Sequence, residues 1–418
     1  MLNNKEQFRL DVVRSTINGE ITNGEASKIL SISERQVKRL KASVRKLGET
    51  AVVHKLKGRV SNNFSGNSFK NYVLGLIKEK YSDFGPSFAS EKLSETNNID
   101  VNPETLRIWM AEAGIWREHK KKKGKYFSFR ERKDYLGEMI QFDGSYHNWF
   151  EDRLLDSDGY PVEVCLLAGI DDATSQVVAK FDMNESVFAV FSFWKEYVLE
   201  FGKPLSIYLD KYSTYKINHK HAVDNFDLLT QFETSLNMLD IKMINANTPQ
   251  AKGRVERLFG TLQDRLVKEL RLNGISTIES GNKFLKETFL PKFNKQFSVI
   301  PNKKGDVHRI LQKEEIAKLG SIFSIKSVRR INNDYTIQFK NQFFQLKRIQ
   351  PTTIRQGETI QVEEWLGGKI KFKFREKYLN YLKLKKKPKK TKSAPLILTT
   401  HKTNWKPSPN HPWKKMRY

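Results

Sequence analysis

Three carboxylates stand at positions where they could bind metal ions together. Asp143 ends the short apolar stretch 139–142 and Asp210 ends the stretch 205–209, so we expect each at the end of a β-strand. Glu256 falls near the start of a long segment with helical periodicity. If the two strands are neighbours in one sheet, the helix can bring Glu256 over both aspartates. Three converging carboxylates repel one another and raise their own pKa values unless cations neutralise them.

Divalent cations that prefer oxygen ligands meet this requirement. Mg²⁺ binds carboxylates, keeps several waters and bridges to substrate phosphates. Two Mg²⁺ ions, roughly 3.5–4 Å apart, can activate an attacking oxygen and stabilise the leaving one. The pattern therefore predicts a two-metal site in which Asp143, Asp210 and Glu256 are both metal ligands and catalytic residues, and we expect Mn²⁺ to substitute. Taken singly, each acid also fits a turn, a helix cap or a solvated helix face.

The sequence around Glu256, NTPQAKGRVER at 247–257, is the most specific in the chain. Thr248 can cap the helix, and Pro249 suits its first position. Basic residues surround the acid, as a DNA backbone held beside metal ions would require. The candidate phosphate contacts are Lys252, Arg254 and Arg257.

The elements that must position these acids follow a mixed pattern. Strands are predicted at 139–143, 162–170, 176–181, 205–210 and 241–245, and helices at 186–201, 225–239 and 248–273. Three meandering strands followed by alternating helices and strands predict a mixed α/β sheet with helices on its faces. We place this catalytic core at 137–295.

Two helical units precede the core, at 1–60 and 66–118. The first has the pattern of a helix-turn-helix, with Ser33 as the cap of a second helix that begins at Glu34. One face of that helix is apolar and the other is suited to a DNA groove, although an ordinary amphipathic surface helix stays an alternative. The exposed DNA-binding candidates are Arg35, Gln36, Lys38 and Arg39. The second unit also resembles a helix-turn-helix, with Pro103 at the first position of its last helix.

Beyond the core, alternating strands at 323–328, 335–339 and 343–346 predict a small antiparallel barrel over 320–368. A basic linker is expected at 119–136. The segment 369–418 carries 17 Lys and Arg against one acid, Glu376, which predicts an extended, solvated basic tail.

The charge balance points to a polyanionic partner. The chain of 418 residues carries 74 Lys and Arg against 47 Asp and Glu, a net charge of +27. Neutralising nucleic-acid phosphates releases condensed counterions, so DNA or RNA is the natural partner, with a solubilising tail or an anionic membrane patch as the alternatives.

The apolar content and the cysteine usage narrow the class. The single cysteine, Cys165, excludes a disulfide framework and a Cys-cluster zinc finger. The longest clean apolar run, 164–170, is far too short to span a membrane, and the N-terminal residues lack the apolar stretch of a signal peptide. We therefore expect a soluble protein of a reducing compartment without a membrane partner.

Four segments resemble the integrase-core transposases of bacterial insertion sequences, and most closely their ISNCY-like group. They are QFDGSYHNWFE at 141–151, IDDATS at 170–175, DKYSTYKIN at 210–218 and NTPQAKGRVERLFGTLQDRLVKELR at 247–271. The resemblance implies a ribonuclease-H-like fold in which Asp143, Asp210 and Glu256 form the metal-binding DDE triad. The family more often has His where Tyr212 stands and Ile where Phe142 stands.

The resemblance also implies an activity. A DDE transposase binds the terminal inverted repeats of its element, hydrolyses a phosphodiester to free a 3′-OH, and uses that 3′-OH to attack target DNA. It works on paired DNA ends as at least a dimer, here in the bacterial cytoplasm with the nucleoid. A non-catalytic DNA-binding regulator and a metal-dependent nuclease that does not join strands stay open. The family motif also includes His147, Trp149 and Glu151. The sequence does not distinguish whether these residues contact the protein core or the DNA ends.

Overall fold

The computed structural model describes residues 2–54, 66–117, 131–210, 223–246, 253–385 and 406–412, with the backbone alone at 210, 223–230 and 246. The chain divides into two compact units, Met1–Lys120 and Lys121–Tyr418, and each is described by itself.

The first unit begins with three helices around a small apolar core. They are α1 (Asn4–Asn18), α2 (Asn23–Leu30) and α3 (Glu34–Leu47). Only three residues join α2 to α3, and the Ser33 side chain accepts a hydrogen bond from the Gln36 amide, which confirms the predicted cap. Ala26 of α2 and Val37 of α3 are both fully buried where the two helices pack. The small side chain at position 26 lets the helices approach closely.

Three more helices complete the first unit. They are α4 (Asn67–Lys80), α5 (Pro86–Asn97) and α6 (Pro103–Glu112). Pro103 occupies the first position of α6, as predicted, and the Asn102 side chain caps that helix at the Glu104 amide. Stacked rings of Phe84 and Phe88 lie in the core that the three helices share.

A five-stranded sheet forms the centre of the second unit. Its strands are β1 (Met139–His147), β2 (Val164–Asp171), β3 (Val177–Asp182), β4 (Ser206–Asp210) and β5 (Lys242–Ala246). The order across the sheet is β3-β2-β1-β4-β5. Strands β1, β2 and β3 are antiparallel to their neighbours in the meander, whereas β4 is parallel to both β1 and β5. The predicted mixed α/β sheet is confirmed, and its first and fourth strands are adjacent.

Helices cover both faces of this sheet. They are α7 (Val187–Phe201), α8 (Val223–Met238), α9 (Gly253–Leu272), α10 (Ile278–Phe284) and α11 (Leu290–Phe297), with a π-helical turn at Leu285–Phe289 between the last two. Ile140 and Phe142 of β1 point toward α7, because alternate residues of a strand face opposite sides. On the other face, α9 and α11 bury their apolar stripes against β2 and β3.

Two predicted boundaries in this region change. Strand β1 does not end at Asp143 but continues to His147, because residues 144–147 stay paired with 164–167 of β2. Asp143 therefore lies in the middle of a strand. The predicted cap of α9 at Thr248 and Pro249 lies outside the described residues, and the described helix begins at Gly253.

A β-domain follows the core. Helix α12 (Lys313–Ile322) leads into β6 (Ser324–Arg330), β7 (Thr336–Phe339), β8 (Gln342–Leu346), β9 (Thr359–Trp365), β10 (Ile370–Phe374), β11 (Lys377–Tyr378) and β12 (Tyr381–Leu384). The strands form two antiparallel sheets, β11-β10-β9-β6 and β12-β8-β7, around one apolar core.

The prediction that a solvated tail begins at residue 369 was wrong. Strands β10 to β12 complete both sheets of the β-domain, with Phe372 fully buried between them. The prediction rested on the high lysine content and missed an alternating pattern. Lys371 and Lys373 point to one side of the strand, and Phe372 between them points into the core. In the described ranges, no helix is both long and apolar enough to cross a membrane.

Candidate active site

Asp143 lies on the strand at the centre of the sheet. Its backbone is paired with Ala168 of β2, and its side chain is half-buried. Because strand residues alternate, Asp143 shares the α9 side of the sheet with Gln141 and Ser145, opposite Phe142. The sequence predicted a carboxylate on this strand, and the structure provides one that faces the helix carrying Glu256.

Asp210 lies on the strand next to that of Asp143. Strand β4 is paired with β1 in parallel, with Gln141 opposite Tyr208. The pairing ends there, and Asp143 and Asp210 each lie two residues further along their strand, where a continued register would set them side by side. Asp210 is the last residue of β4, as predicted. Neighbouring strands are about 4.8 Å apart, so a continued register would bring the two backbone positions within the reach of a shared ion.

Glu256 lies on α9, which runs along β1 in the same direction and is tied to it at two levels. Near the start of α9, Arg254 Nη1 lies 2.5 Å from Asp172 Oδ1, which also accepts a 2.7 Å hydrogen bond from Gln141 Nε2. Nine residues later, Gln263 Nε2 lies 3.4 Å from Ser145 Oγ. Nine helical residues and four strand residues both span about 13 Å, so the two ties match in length.

The Arg254–Asp172 and Gln263–Ser145 contacts indicate which part of β1 lies beside Glu256. Asp143 lies halfway between Gln141 and Ser145 on the strand, while Glu256 lies two residues after Arg254 on the helix. Glu256 is also seven residues before Gln263, and two helical turns return a side chain to nearly the same face. Its exposed side chain is therefore on the flank of α9 that Gln263 turns toward β1. Asp143 and Glu256 therefore lie on two elements in contact, β1 and α9, and Asp210 ends the strand that pairs with β1.

Asp172 is a buried carboxylate that the sequence reasoning did not single out. Its side chain is fully buried, and its second oxygen accepts a 2.9 Å hydrogen bond from the Lys133 amide. The neighbouring Asp171 closes the same turn, because it accepts from the Gly137 amide and from the amide and hydroxyl of Thr174. Two adjacent acids directly after the apolar run 164–170 were the sequence signal for this network.

Burial dominates the electrostatics behind the site. It raises the pKa of Asp171, against the hydrogen bonds from Gly137 and Thr174 that lower it. Burial also raises the pKa of the Cys165 thiol and raises that of Tyr146 to about 12, with a smaller contribution from the nearby Glu185 carboxylate in both cases. Cys165 and Tyr146 pair across β1 and β2 on the side of the sheet facing away from α9.

The predicted phosphate contacts have different surroundings. Arg257 is exposed on α9, as a phosphate contact requires. Arg254 is not: its side chain is only 14% exposed and forms the ion pair with Asp172. Lys252 lies outside the described residues, as does Tyr212. The candidates on α3 are all exposed, namely Arg35, Gln36, Lys38 and Arg39.

Three residues of the family motif now have contacts. Trp149 is fully buried, packs edge-on against Phe181 and donates its indole N–H to the Ser145 carbonyl. The His147 ring lies edge-on against Trp149. Glu151 pairs with Arg153 and Arg271. Each of the three therefore contacts the protein around the end of β1, with Trp149 in the core.

The donor set suits a hard divalent cation. Asp143, Asp210 and Glu256 offer only carboxylate oxygens, the ligands that Mg²⁺ prefers. Among the side chains that the structure describes, no three His, Cys, Asp or Glu groups gather closely enough to hold a metal ion. The side chain of Asp210 is not part of that described set, so the triad is placed here by its backbone positions.

The second unit is a mixed α/β fold, with a central sheet of antiparallel and parallel strands. Acidic residues on the side of the sheet that α9 covers form its candidate metal-binding site.

No family model matches the chain. It is 35% identical over 394 residues to a protein of Sinorhizobium fredii named transposase y4bF, covering 94% of this chain and 84% of the relative. It is 29% identical over 323 residues to the transposase for insertion sequence IS1202 of Streptococcus pneumoniae, covering 68% and 67%. The chain belongs to the insertion-sequence transposases.

Solved structures were compared as well. The catalytic core domain of HTLV-2 integrase in complex with magnesium matches at a TM-score of 0.25 and 17% identity, over 36% of this chain and 82% of that one. The simian T-cell lymphotropic virus intasome in complex with a PP2A regulatory subunit matches at 0.30 and 11% identity, over 69% and 97%. The family assignment rests on the sequence relatives.

Proposed function

We propose that this transposase is a DDE enzyme that binds the terminal inverted repeats of its element, cleaves at their 3′ ends and transfers the freed 3′-OH into target DNA. The observation that carries the proposal is the arrangement of the three elements that carry the carboxylates. Strand β4, which ends at Asp210, pairs in parallel with β1, which carries Asp143, and α9, which carries Glu256, is joined to β1 through Arg254 and Gln263. The strand order supports a ribonuclease-H-like catalytic fold, and the enzyme would belong to the ISNCY-like group of these transposases.

The carboxylates would hold two divalent ions, Mg²⁺ or in its place Mn²⁺. When bound, such ions polarise the scissile phosphate and lower the pKa of the attacking hydroxyl. Asp143 and Asp210 are the ligands on the sheet, and Glu256 is the ligand on the helix. Both steps are in-line displacements at phosphorus, so no covalent bond from the protein to DNA is needed.

DNA would be held by basic residues on both units. Lys252 and the exposed Arg257 are the proposed phosphate contacts beside the carboxylates. On the first unit, α3 is the proposed recognition helix, in a helix-turn-helix with α2, and α4 to α6 would form a second one. Two copies at least would assemble on the paired element ends, in the bacterial cytoplasm.

The test is cleavage and joining of a labelled duplex that carries the element's end, with Mg²⁺. We expect the unchanged protein to produce 3′-end cleavage and joined products. Asp143→Asn, Asp210→Ala and Glu256→Gln should lose both by more than about a hundredfold while still binding DNA, because ligand loss removes several kcal/mol of charge stabilisation. Glu287→Gln, an exposed acid between α10 and α11, is the matched control.

Other results would select an alternative. Specific binding without metal-dependent cleavage by the unchanged protein would indicate a regulator. Cleavage without joined products would indicate a nuclease. Cleavage that persists in Asp210→Ala would contradict the placement of the site.

A further inference from the structure

Asp172 connects the two elements that carry the described carboxylates of the proposed site. Its Oδ1 atom is shared by Arg254, two residues before Glu256, and by Gln141, two residues before Asp143. The ion pair is largely buried, with 14% of the Arg254 side chain and none of the Asp172 side chain exposed. A buried carboxylate that accepts several charge-assisted or neutral hydrogen bonds holds its partners in narrow geometry.

Gln141 and Asp172 are each held in place by the protein around them. Gln141 is 1% exposed on the central strand. Asp172 is held by its own backbone, since its amide donates to the Met139 carbonyl and its second side-chain oxygen accepts from the Lys133 amide. The next residue on α9, Val255, is fully buried in the apolar core. The Arg254 side chain therefore connects this part of α9 to a carboxylate that is held by other contacts.

The position of Arg254 on α9 indicates which part of the helix its ion pair holds. Arg254 lies two residues before Glu256 on α9, less than one helical turn away, so the ion pair with Asp172 holds the helix at that turn. Glu256 lies in that same turn. The rest of α9 is held by its apolar stripe and by the Gln263–Ser145 contact further along. Loss of the Arg254–Asp172 pair would therefore loosen the helix mainly at Glu256.

We propose that Arg254 is a positioning residue, which through Asp172 sets the level of Glu256 against Asp143, rather than a contact for DNA phosphate. The inference rests on the proposed metal site. The Arg254 side chain is only 14% exposed and its Nη1 atom is paired with the buried Asp172, whereas Arg257 is exposed three residues later. The two arginines of the motif thus have separate tasks: Arg254 orients a metal ligand and Arg257 faces the DNA backbone.

The two arginines can be separated by a crossed experiment on the full-length chain. Binding of Mn²⁺ alone is followed by the loss of the free-ion signal in electron paramagnetic resonance. Binding of a duplex is followed as a function of salt in the presence of EDTA. We expect Arg254→Met and Asp172→Asn to weaken Mn²⁺ binding by about tenfold or more, the effect typical of residues that orient metal ligands. Neither should change the salt slope of DNA binding.

Arg257→Met should do the reverse. It should leave Mn²⁺ affinity within twofold of the unchanged protein and reduce the salt slope by about one, because one phosphate contact is lost. Arg254→Lys keeps the charge but not the planar fork, so it should restore only part of the Mn²⁺ affinity. Lys283→Met, an exposed lysine of α10, controls for loss of positive charge alone.

A purely structural role for the pair is tested by the double variant Arg254→Met with Asp172→Asn. It removes both charges of the buried pair together and keeps an amide oxygen as an acceptor for the neighbouring donors, so no unpaired charge is left buried. If this variant unfolds at the same temperature as the unchanged protein but still binds Mn²⁺ at least tenfold more weakly, positioning is supported. If it regains full Mn²⁺ affinity, the pair serves stability alone and the inference is overturned.

Two further outcomes are decisive. If Arg254→Met is folded and binds Mn²⁺ like the unchanged protein but has a lower salt slope, Arg254 contacts DNA and the inference is wrong, while the proposed function stands. If the unchanged protein itself shows no saturable Mn²⁺ binding, the metal site of the proposed function fails, and the inference fails with it.

Discussion

Asp143 and Asp210 lie on two adjacent parallel strands, each two residues beyond the paired Gln141 and Tyr208. The proposed site adds Glu256 of the helix that lies along β1, and three carboxylates held close together would repel one another. A bound cation stabilises such a cluster, so the proposed site predicts that metal ions stabilise the folded protein even without DNA.

Divalent ions should therefore stabilise the folded protein. For a dissociation constant near 1 mM, 10 mM MgCl₂ would add about 1.4 kcal/mol to the free energy of unfolding, by mass action on the folded state. Thermal unfolding measured with MgCl₂, against NaCl of equal ionic strength, should show the midpoint raised by a few degrees. Asp143→Asn should lose this increase, whereas Glu287→Gln should keep it; an equal increase in Asp143→Asn would place the ion elsewhere.

The exposed basic face of α3 should account for part of the binding to the element's ends. Replacing Lys38 or Arg39 by Ala should weaken binding and lower the salt slope by about one for each lost phosphate contact. A residue that reads a base edge should instead relax sequence preference by about 1–3 kcal/mol at one position. Binding is measured by fluorescence anisotropy at several salt concentrations. Lys5→Ala, an exposed lysine on α1, serves as the control, and equal losses in all three variants would indicate non-specific attraction.

Two glycines in helices should respond in opposite directions to alanine. A Cβ atom on Gly281 would lie 2.9 Å from the Phe150 ring and 3.2 Å from that of Phe181, so Gly281→Ala should lower the free energy of unfolding by about 1–3 kcal/mol. Gly260 is exposed on α9 with no atom within 4 Å of that position, so Gly260→Ala should raise it by up to about 1 kcal/mol. Urea denaturation measures both, and a stable Gly281→Ala variant would contradict the close packing of α10 on β3.

Two truncations should separate the β-domain from the basic segment after it. A chain ended after Lys385 keeps all seven described strands of the β-domain and should unfold at nearly the same temperature as the full chain. A chain ended after Gly368 loses β10 to β12 and the buried Phe372, so its β-domain should no longer fold cooperatively. Limited proteolysis with mass spectrometry detects the difference. Equal protection of 324–365 in the two chains would show that those strands do not depend on β10 to β12.

The sequence alone determined the local elements and the identity of the candidate ligands. Period-two and period-3.6 patterns placed the strands and helices of the core within a few residues, and local chemistry predicted the Ser33 cap and Pro103 at the start of α6. These features depend on side chains only a few residues apart, so they can be read without the fold. The resemblance to transposases depends on contiguous motifs for the same reason, and the relatives confirm it at the level of insertion-sequence transposases.

Only the tertiary structure decided how these elements meet. The strand order that sets β4 beside β1, the continuation of β1 to His147 and the return of β10 to β12 into the β-domain all depend on hydrogen bonds between residues far apart in the chain. Arg254 is the clearest case: its charge and its position beside Glu256 predicted a phosphate contact, and the structure shows a largely buried ion pair with Asp172. Its partner Asp172 lies 82 residues away in sequence, and the free energy of such a buried pair is set by the surrounding packing rather than by either residue.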